Sequence, residues 1–280
     1  MADKSIIDGY HIYYNKKLGQ GNYGVVWLAE KDGKDVAAKA SDFLKAGTKN
    51  IGERIKSGIE ELRQLQQNKH CHIVELLHFT YEHEQFWYFL DYCNKGNLSA
   101  YYMKENPRVS ETISLMYQCA DAMRYMHTPQ MHDPPRVILH RDLKPNNILV
   151  KTFNNTVVVK IADFGFSRVV ETQDIAKTFL FNTELGTAGY MAPEIFDAKK
   201  NNKPYGPPVD IFSMGLVYAA MLNHKKGNDS IFPPHGNMSF AIHLCYILYN
   251  FSPGMKPFVE CRCLYFIVYM YAQASTCTCT

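Results

Sequence analysis

The stretch His140–Val150, "HRDLKPNNILV", sets a histidine, two cations, an acid and two asparagines within eight residues. Apolar runs flank it, "RVIL" before and "ILV" after. Polar groups at the edge of a buried core are costly unless each is partnered or used, so the segment reads as a functional loop. Within it Asp142 offers an acceptor for a proton. Lys144, two residues on, offers a positive charge for a transferring anion. Asn147 adds a neutral amide oxygen that could share a metal ion.

Downstream, the apolar run "VVVKIA" leads into "DFG", so Asp163 follows a strand and precedes a flexible glycine. A carboxylate there suits a hard cation such as Mg²⁺, which prefers oxygen ligands; a plain turn at a strand end is the simpler reading of any single D-x-G. Upstream, "GQGNYGVV" places Gly19, Gly21 and Gly24 in G-x-G-x-x-G spacing, with Val26 following. Without a Cβ, such a backbone can close its N–H groups on phosphate oxygens. A dinucleotide fold would need a helix directly afterwards, whereas "VVWLAE" is β-rich and favours a hairpin lid. Lys39, in "DVAAKA", sits among Val36, Ala37 and Ala38 and wants an acidic partner. The helical pattern "IGERIKSGIEELRQLQQ" supplies Glu60 and Glu61, between which periodicity does not choose.

Bulk properties remove other classes. A chain of 280 residues with 46% hydrophobic and 20% charged content is ordinary for a globular protein. A net charge of +3 does not argue for nucleic acid or a membrane surface. No signal peptide is evident at the amino terminus, and the longest apolar windows, "FAIHLCYILYNF" and "LYFIVYMYA", are too short to span a bilayer. Eight cysteines without a C-x-x-C pair read as reduced thiols. A cytoplasmic location is expected, with the nucleus open as a second; oligomeric state is not set. Short strand patterns over residues 10–92 give way to mostly helical ones, the joint falling at "DYCNKGNL", where Asn94, Gly96 and Asn97 read as a turn. The expected architecture is α+β: a small β-rich lobe with one main helix, a larger helical lobe over 93–225, and an atypical tail over 226–280.

Taken together the motifs resemble a eukaryotic protein kinase of the serine/threonine type. Gly-rich loop, V-A-x-K, helix glutamate, H-R-D-L-K-P-x-N, D-F-G and A-P-E occur in order over about residues 10–222. The resemblance implies ATP and Mg²⁺ as cofactors and Ser/Thr hydroxyls of proteins as acceptors. It makes Asp142 the residue that orients the hydroxyl, Lys144 the γ-phosphate contact, and Asn147 and Asp163 the metal ligands. Lys39 becomes the α/β-phosphate contact, and spacing back from "HCHIV" selects Glu61 as its partner. Leu18, Val26, Ala37 and Leu149 match the apolar walls of the adenine pocket, Leu90 the gatekeeper, and the backbones of Asp91 and Cys93 its hydrogen-bonding edge. Lys144 and "GTAGYMAPE", with Thr187 as substrate-platform residue, are similar to serine/threonine kinases. Arg141 implies a phosphate acceptor on the activation loop, for which Thr183 has the usual spacing. Asp210, in "VDIFSMGLVYAAML", would brace the catalytic loop.

Beyond about residue 225 the resemblance fades. No arginine in a convincing context matches the family partner of Glu194, and "YMYAQASTCTCT" is low in complexity. The sequence therefore supports two expectations: an active kinase, or an impaired, truncated isoform or gene-model product acting as a competitive binding module.

Overall fold

The computed structural model describes residues 4–21, 24–41, 69–83, 85–129, 136–164, 167–171, 187–192, 194–195 and 206–224. The helical pattern at 51–67 with Glu60 and Glu61, Thr183 and the tail from 225 onward lie outside the described residues.

A six-stranded antiparallel sheet opens the chain: β1 (Lys4–Ile7), β2 (Tyr10–Gly21), β3 (Gly24–Lys31), β4 (Lys34–Ser41), β5 (Leu76–Glu82) and β6 (Gln85–Asp91), in the order β1-β2-β3-β4-β6-β5. β1 precedes the strand patterns picked out in the sequence. Its signal was the dipeptide Asp8–Gly9, with φ of 47° and 79°. Positive φ at both central residues is the tight hairpin turn whose twist matches paired strands. Asp32–Gly33 closes β3–β4 in the same way, with φ of 53° and 73°.

Strand register sorts the sheet's two faces. Val26 pairs with Lys39, Leu28 with Ala37, Ala37 with Leu90 and Lys39 with Tyr88. Directly opposed residues share a face and neighbours alternate, so Val26, Ala37, Lys39 and Leu90 line one side. The other side buries Ile7, Tyr10, Ile12, Ala29, Val36, Ala38, Ala40, Trp87 and Phe89 as a small core of its own.

Gly96, at φ 74°, completes the expected turn after β6, its N–H donating to the Cys93 carbonyl at 3.1 Å. Asn97 then caps α1 (Leu98–Glu105), its Oδ1 accepting the Ala100 N–H at 2.9 Å. Helix α2 (Val109–His127) buries Leu115, Met116, Cys119, Ala122, Met123 and Met126, spaced three or four apart as one helical face requires. Helix α3 (Pro208–Asn223) packs beside it, the Tyr218 hydroxyl donating to the Met116 carbonyl at 2.6 Å. Met214, Leu216 and Val217 of α3 are buried in the large core. The outcome is an α+β fold of two lobes.

Short strands then position the polar loop. β7 (Arg136–Leu139) ends where His140 begins, and β8 (Ile148–Phe153) starts after Asn147. β8 pairs with β9 (Thr156–Ile161), Ile148 standing opposite Ile161. That register sets residue 147 beside residue 162, and the Ala162 N–H donates to the Asn147 carbonyl at 2.8 Å. β10 (Arg168–Glu171) pairs back onto β7. Two segments distant in sequence are thereby tied within one hydrogen bond of Asp163.

Candidate active site

The catalytic-loop candidates converge on Asp142, which is 4% exposed. Its Oδ2 accepts from Lys144 Nζ at 2.8 Å and from Asn147 Nδ2 at 2.8 Å. Its Oδ1 accepts from the Thr187 hydroxyl at 3.0 Å, and Thr187 Oγ1 in turn accepts from Lys144 Nζ at 2.7 Å. A carboxylate has about four lone-pair sites; three donors leave one for an incoming hydroxyl. Asn147 spends its amide N–H groups on Asp142, so its side-chain oxygen is the atom left to act as an acceptor.

Across the cleft, Lys39 Nζ donates to Asp163 Oδ1 at 2.6 Å. Burial pushes the Asp163 carboxyl up, but the Lys39 charge and hydrogen bond, with His140 and Lys144 nearby, outweigh it and hold the group below its ordinary value. An ionised carboxylate and an amide oxygen form a hard, oxygen-only donor set, which fits a divalent metal of the magnesium class. Asp163 and Arg141 both adopt left-handed φ, 63° and 68°. Such conformations cost about 1–3 kcal/mol each for non-glycine residues and persist where the surroundings over-determine them.

Asp210 does that for Arg141. Fully buried, it accepts the His140 and Arg141 backbone N–H groups at 2.7 Å each and faces His127 Nε2 at 3.0 Å. Burial raises its pKa, yet the His127 hydrogen bond and charge, helped by His140 and the Arg141 N–H, bring the net shift down. His140 is locked too. Its Nδ1 accepts the Asp142 N–H at 3.3 Å, so Nε2 carries the proton and donates to the Ala162 carbonyl at 2.9 Å. That one ring links the loop backbone at Asp142 to the residue preceding Asp163.

Of the proposed adenine walls, Val26, Ala37 and Leu90 share a sheet face with Lys39. Ala37 is buried, Val26, Leu90 and Leu149 are half-buried, and Leu18 is exposed. Gly24, with φ 153°, holds a backbone conformation that side chains rarely adopt. The Asp91 N–H donates to the Glu75 carbonyl at 2.9 Å, while the Cys93 N–H has no partner among the described residues. The Asp91 N–H is thus taken by Glu75, just ahead of β5. The Asp91 carboxylate takes Lys151 Nζ at 2.6 Å.

Sequence reasoning gave Thr187 a platform role and missed that it completes the Asp142 cluster; no local pattern encodes a contact spanning 45 residues. His127 as partner of Asp210 was also missed, as was Ser213, whose hydroxyl donates to the Tyr190 carbonyl at 2.7 Å and ties α3 to the platform. Glu194, for which no arginine stood out in the sequence, is half-buried and has a partner. Glu61 lies outside the described residues, and Asp163 is the acid seen on Lys39.

The two-lobed fold thus presents one lysine–aspartate pair and one aspartate–lysine–asparagine–threonine cluster. The family model for the protein kinase domain matches residues 12–244, past the last motif at residue 222, and the chain belongs to that family. Relatives include cyclin-dependent kinase-like 1 of Caenorhabditis elegans, 28% identical over 240 residues, covering 85% of this chain and 61% of that protein. Serine/threonine-protein kinase ATG1c of Arabidopsis thaliana is 32% identical over 224 residues, covering 77% and 28%. Human mitogen-activated protein kinase kinase kinase 7 is 30% identical over 241 residues, covering 85% and 35%. The chain thus spans less than two thirds of the length of these relatives.

Proposed function

We propose that this chain transfers the γ-phosphoryl group of ATP to serine or threonine hydroxyls of protein substrates. The observation that carries the reading is the joint hold of Lys144 and Thr187 on Asp142. In that role Asp142 accepts the hydroxyl's hydrogen bond on its remaining lone pair and takes up the proton as the oxygen attacks. Lys144, already beside it, offsets charge gathering on the phosphoryl oxygens. Lys39 holds the nucleotide's inner phosphates, and Asn147 and Asp163 hold Mg²⁺, which when bound neutralises phosphate charge. Leu18, Gly19, Gly21, Val26, Ala37, Leu90 and Leu149 enclose the adenine and its phosphates, with the Cys93 N–H as donor to the ring edge. Names of the relatives, serine/threonine kinases among them, support this acceptor class.

The test is incubation of the purified full chain with labelled ATP, Mg²⁺ and a generic protein acceptor, beside Asp163→Ala. Phosphoserine and phosphothreonine should form with the parent chain and not with the variant. Product formed equally by both, or phosphotyrosine alone, would overturn the assignment. Regulation by phosphate on Thr183, read by Arg141, belongs to the same proposal. Full activity with Thr183 unmodified on phosphopeptide mapping would remove it.

A further inference from the structure

We propose that His70, Cys71 and Asp121 form a binding site for a divalent cation of the zinc class, set between the loop that leads into β5 and helix α2. One ligand atom from each of the three lies within 4.8 Å of the others. Ligand atoms about 2.0–2.3 Å from a tetrahedral zinc stand roughly 3.5 Å apart, so a contraction of about 1 Å closes the set. Cys71 sits exposed on a turn, the least constrained of the three and the one that would move.

The other two are already oriented. Asp121 Oδ2 faces His70 Nε2 at 3.2 Å, while its Oδ1 accepts from Arg124 Nη2 at 2.8 Å. Arg124 thus holds the carboxylate ionised and turned toward the histidine, the supporting role that outer partners play at metal sites. Burial is the largest influence on Asp121 and raises its pKa, but Arg124 and His70 bring the net shift down. The His70 ring lies 4.7 Å from that of Tyr125. Burial lowers the pKa of His70 against the pull of Asp121. His72 has its Nδ1 against the Val159 carbonyl at 3.2 Å.

Imidazole, thiolate and one carboxylate favour zinc over magnesium or calcium, which select all-oxygen sets. Binding releases one proton, from the Cys71 thiol. The proton on His70 Nε2 moves to Nδ1, and the contact from the His72 N–H to that nitrogen, 3.2 Å long, is given up. The consequence is mechanical. The loop carrying His70 and Cys71 already lies on the large lobe through the Val74 N–H to Ile161 carbonyl bond at 2.9 Å, and a cation on Asp121 would staple it to α2. This site is separate from the phosphotransfer reading and stands or falls without it.

Zinc titration of the full chain by calorimetry, compared with Cys71→Ser and Asp121→Asn, tests the site. The chain carries seven other cysteines, so the readout is the difference between chains. One equivalent of zinc, with about one proton released, should be present in the parent. It should be lost or weakened at least about tenfold in both variants. Cobalt should show a thiolate charge-transfer band in the parent that Cys71→Ser removes. Because Cys71 is exposed, that variant keeps its packing. Equal zinc stoichiometry and affinity in all three chains, or a cobalt band unchanged by Cys71→Ser, would overturn the proposal and leave His70–Asp121 as a plain hydrogen bond between loop and helix.

Discussion

The floor and the roof of the cleft are built on different physics. Its floor, residues 140–147, hangs from one fully buried carboxylate, Asp210, through two backbone hydrogen bonds of 2.7 Å. Buried charge-assisted bonds are strong, and losing one partner strands the other. The roof is one face of an antiparallel sheet, with Ala37 buried and Val26 and Leu90 half-buried, and Leu18 in β2 is 42% exposed. Its geometry comes from strand register, which tolerates side-chain change as long as the pattern of the faces is kept. In the proposed reaction, chemistry requiring sub-ångström placement therefore falls to the floor, and shape-based contact to the roof.

The largest expected effect breaks the floor's chemistry without its scaffold. Asp142→Asn should reduce turnover by about two orders of magnitude or more while nucleotide binding, followed by fluorescence, persists. Undiminished turnover would remove Asp142 from the reaction. Asp210→Asn attacks the scaffold itself. Loss of charge on an acceptor of two backbone N–H groups should cost about 3 kcal/mol, seen as a fall in Tm of roughly 6–12 °C. Thr187→Val keeps shape and removes two hydrogen bonds to the cluster, so turnover should fall about tenfold with KM for ATP little changed. A selective rise in that KM would place Thr187 on the nucleotide side instead.

On the roof, Leu18→Ala should change stability by less than about 0.5 kcal/mol, as exposed substitutions do, and weaken ATP binding only a few-fold. A large stability loss there would erase the contrast between the two surfaces. Acid sharpens it last. Asp163 and Asp210 titrate below their usual 3.8, so their stabilisation is complete above that pH and disappears only as pH falls through the lower folded values. His70 and His72 titrate below 6.5 because burial disfavours their charge. Their contribution is complete above pH 6.5 and declines as pH drops beneath it. Thermal melts should show a shallow decline below pH 6.5 and a steep one only below about pH 4; a steep loss already at pH 5 would contradict this.

Much of this molecule could be read in one dimension. Lys39 among small apolar residues, Asp163 after a buried strand and the polar run from His140 to Asn147 are local statements, each made by a few adjacent side chains. Asp8–Gly9 was equally local, a hairpin signal that adds β1 to the sheet, because paired positive φ values are nearly confined to such dipeptides.

Contacts between distant segments had no such signature. Periodicity places Cys119 and Met123 on the inner face of α2, but nothing in it says that His127 at the end of that helix meets Asp210, 83 residues later. Likewise Thr187 closes on Asp142 because β7 and β10 pair and α3 holds the Tyr190 carbonyl through Ser213. The sequence by itself pointed to the groups proposed to carry chemistry and to most of the described strands and helices, since those depend on residue type and near neighbours. Tertiary structure alone decided which lone pairs are occupied and that Lys39 rests on Asp163. It also brought His70 and Cys71 beside Asp121. Each of these is a distance between segments, set by strand register and helix packing rather than by spacing along the chain.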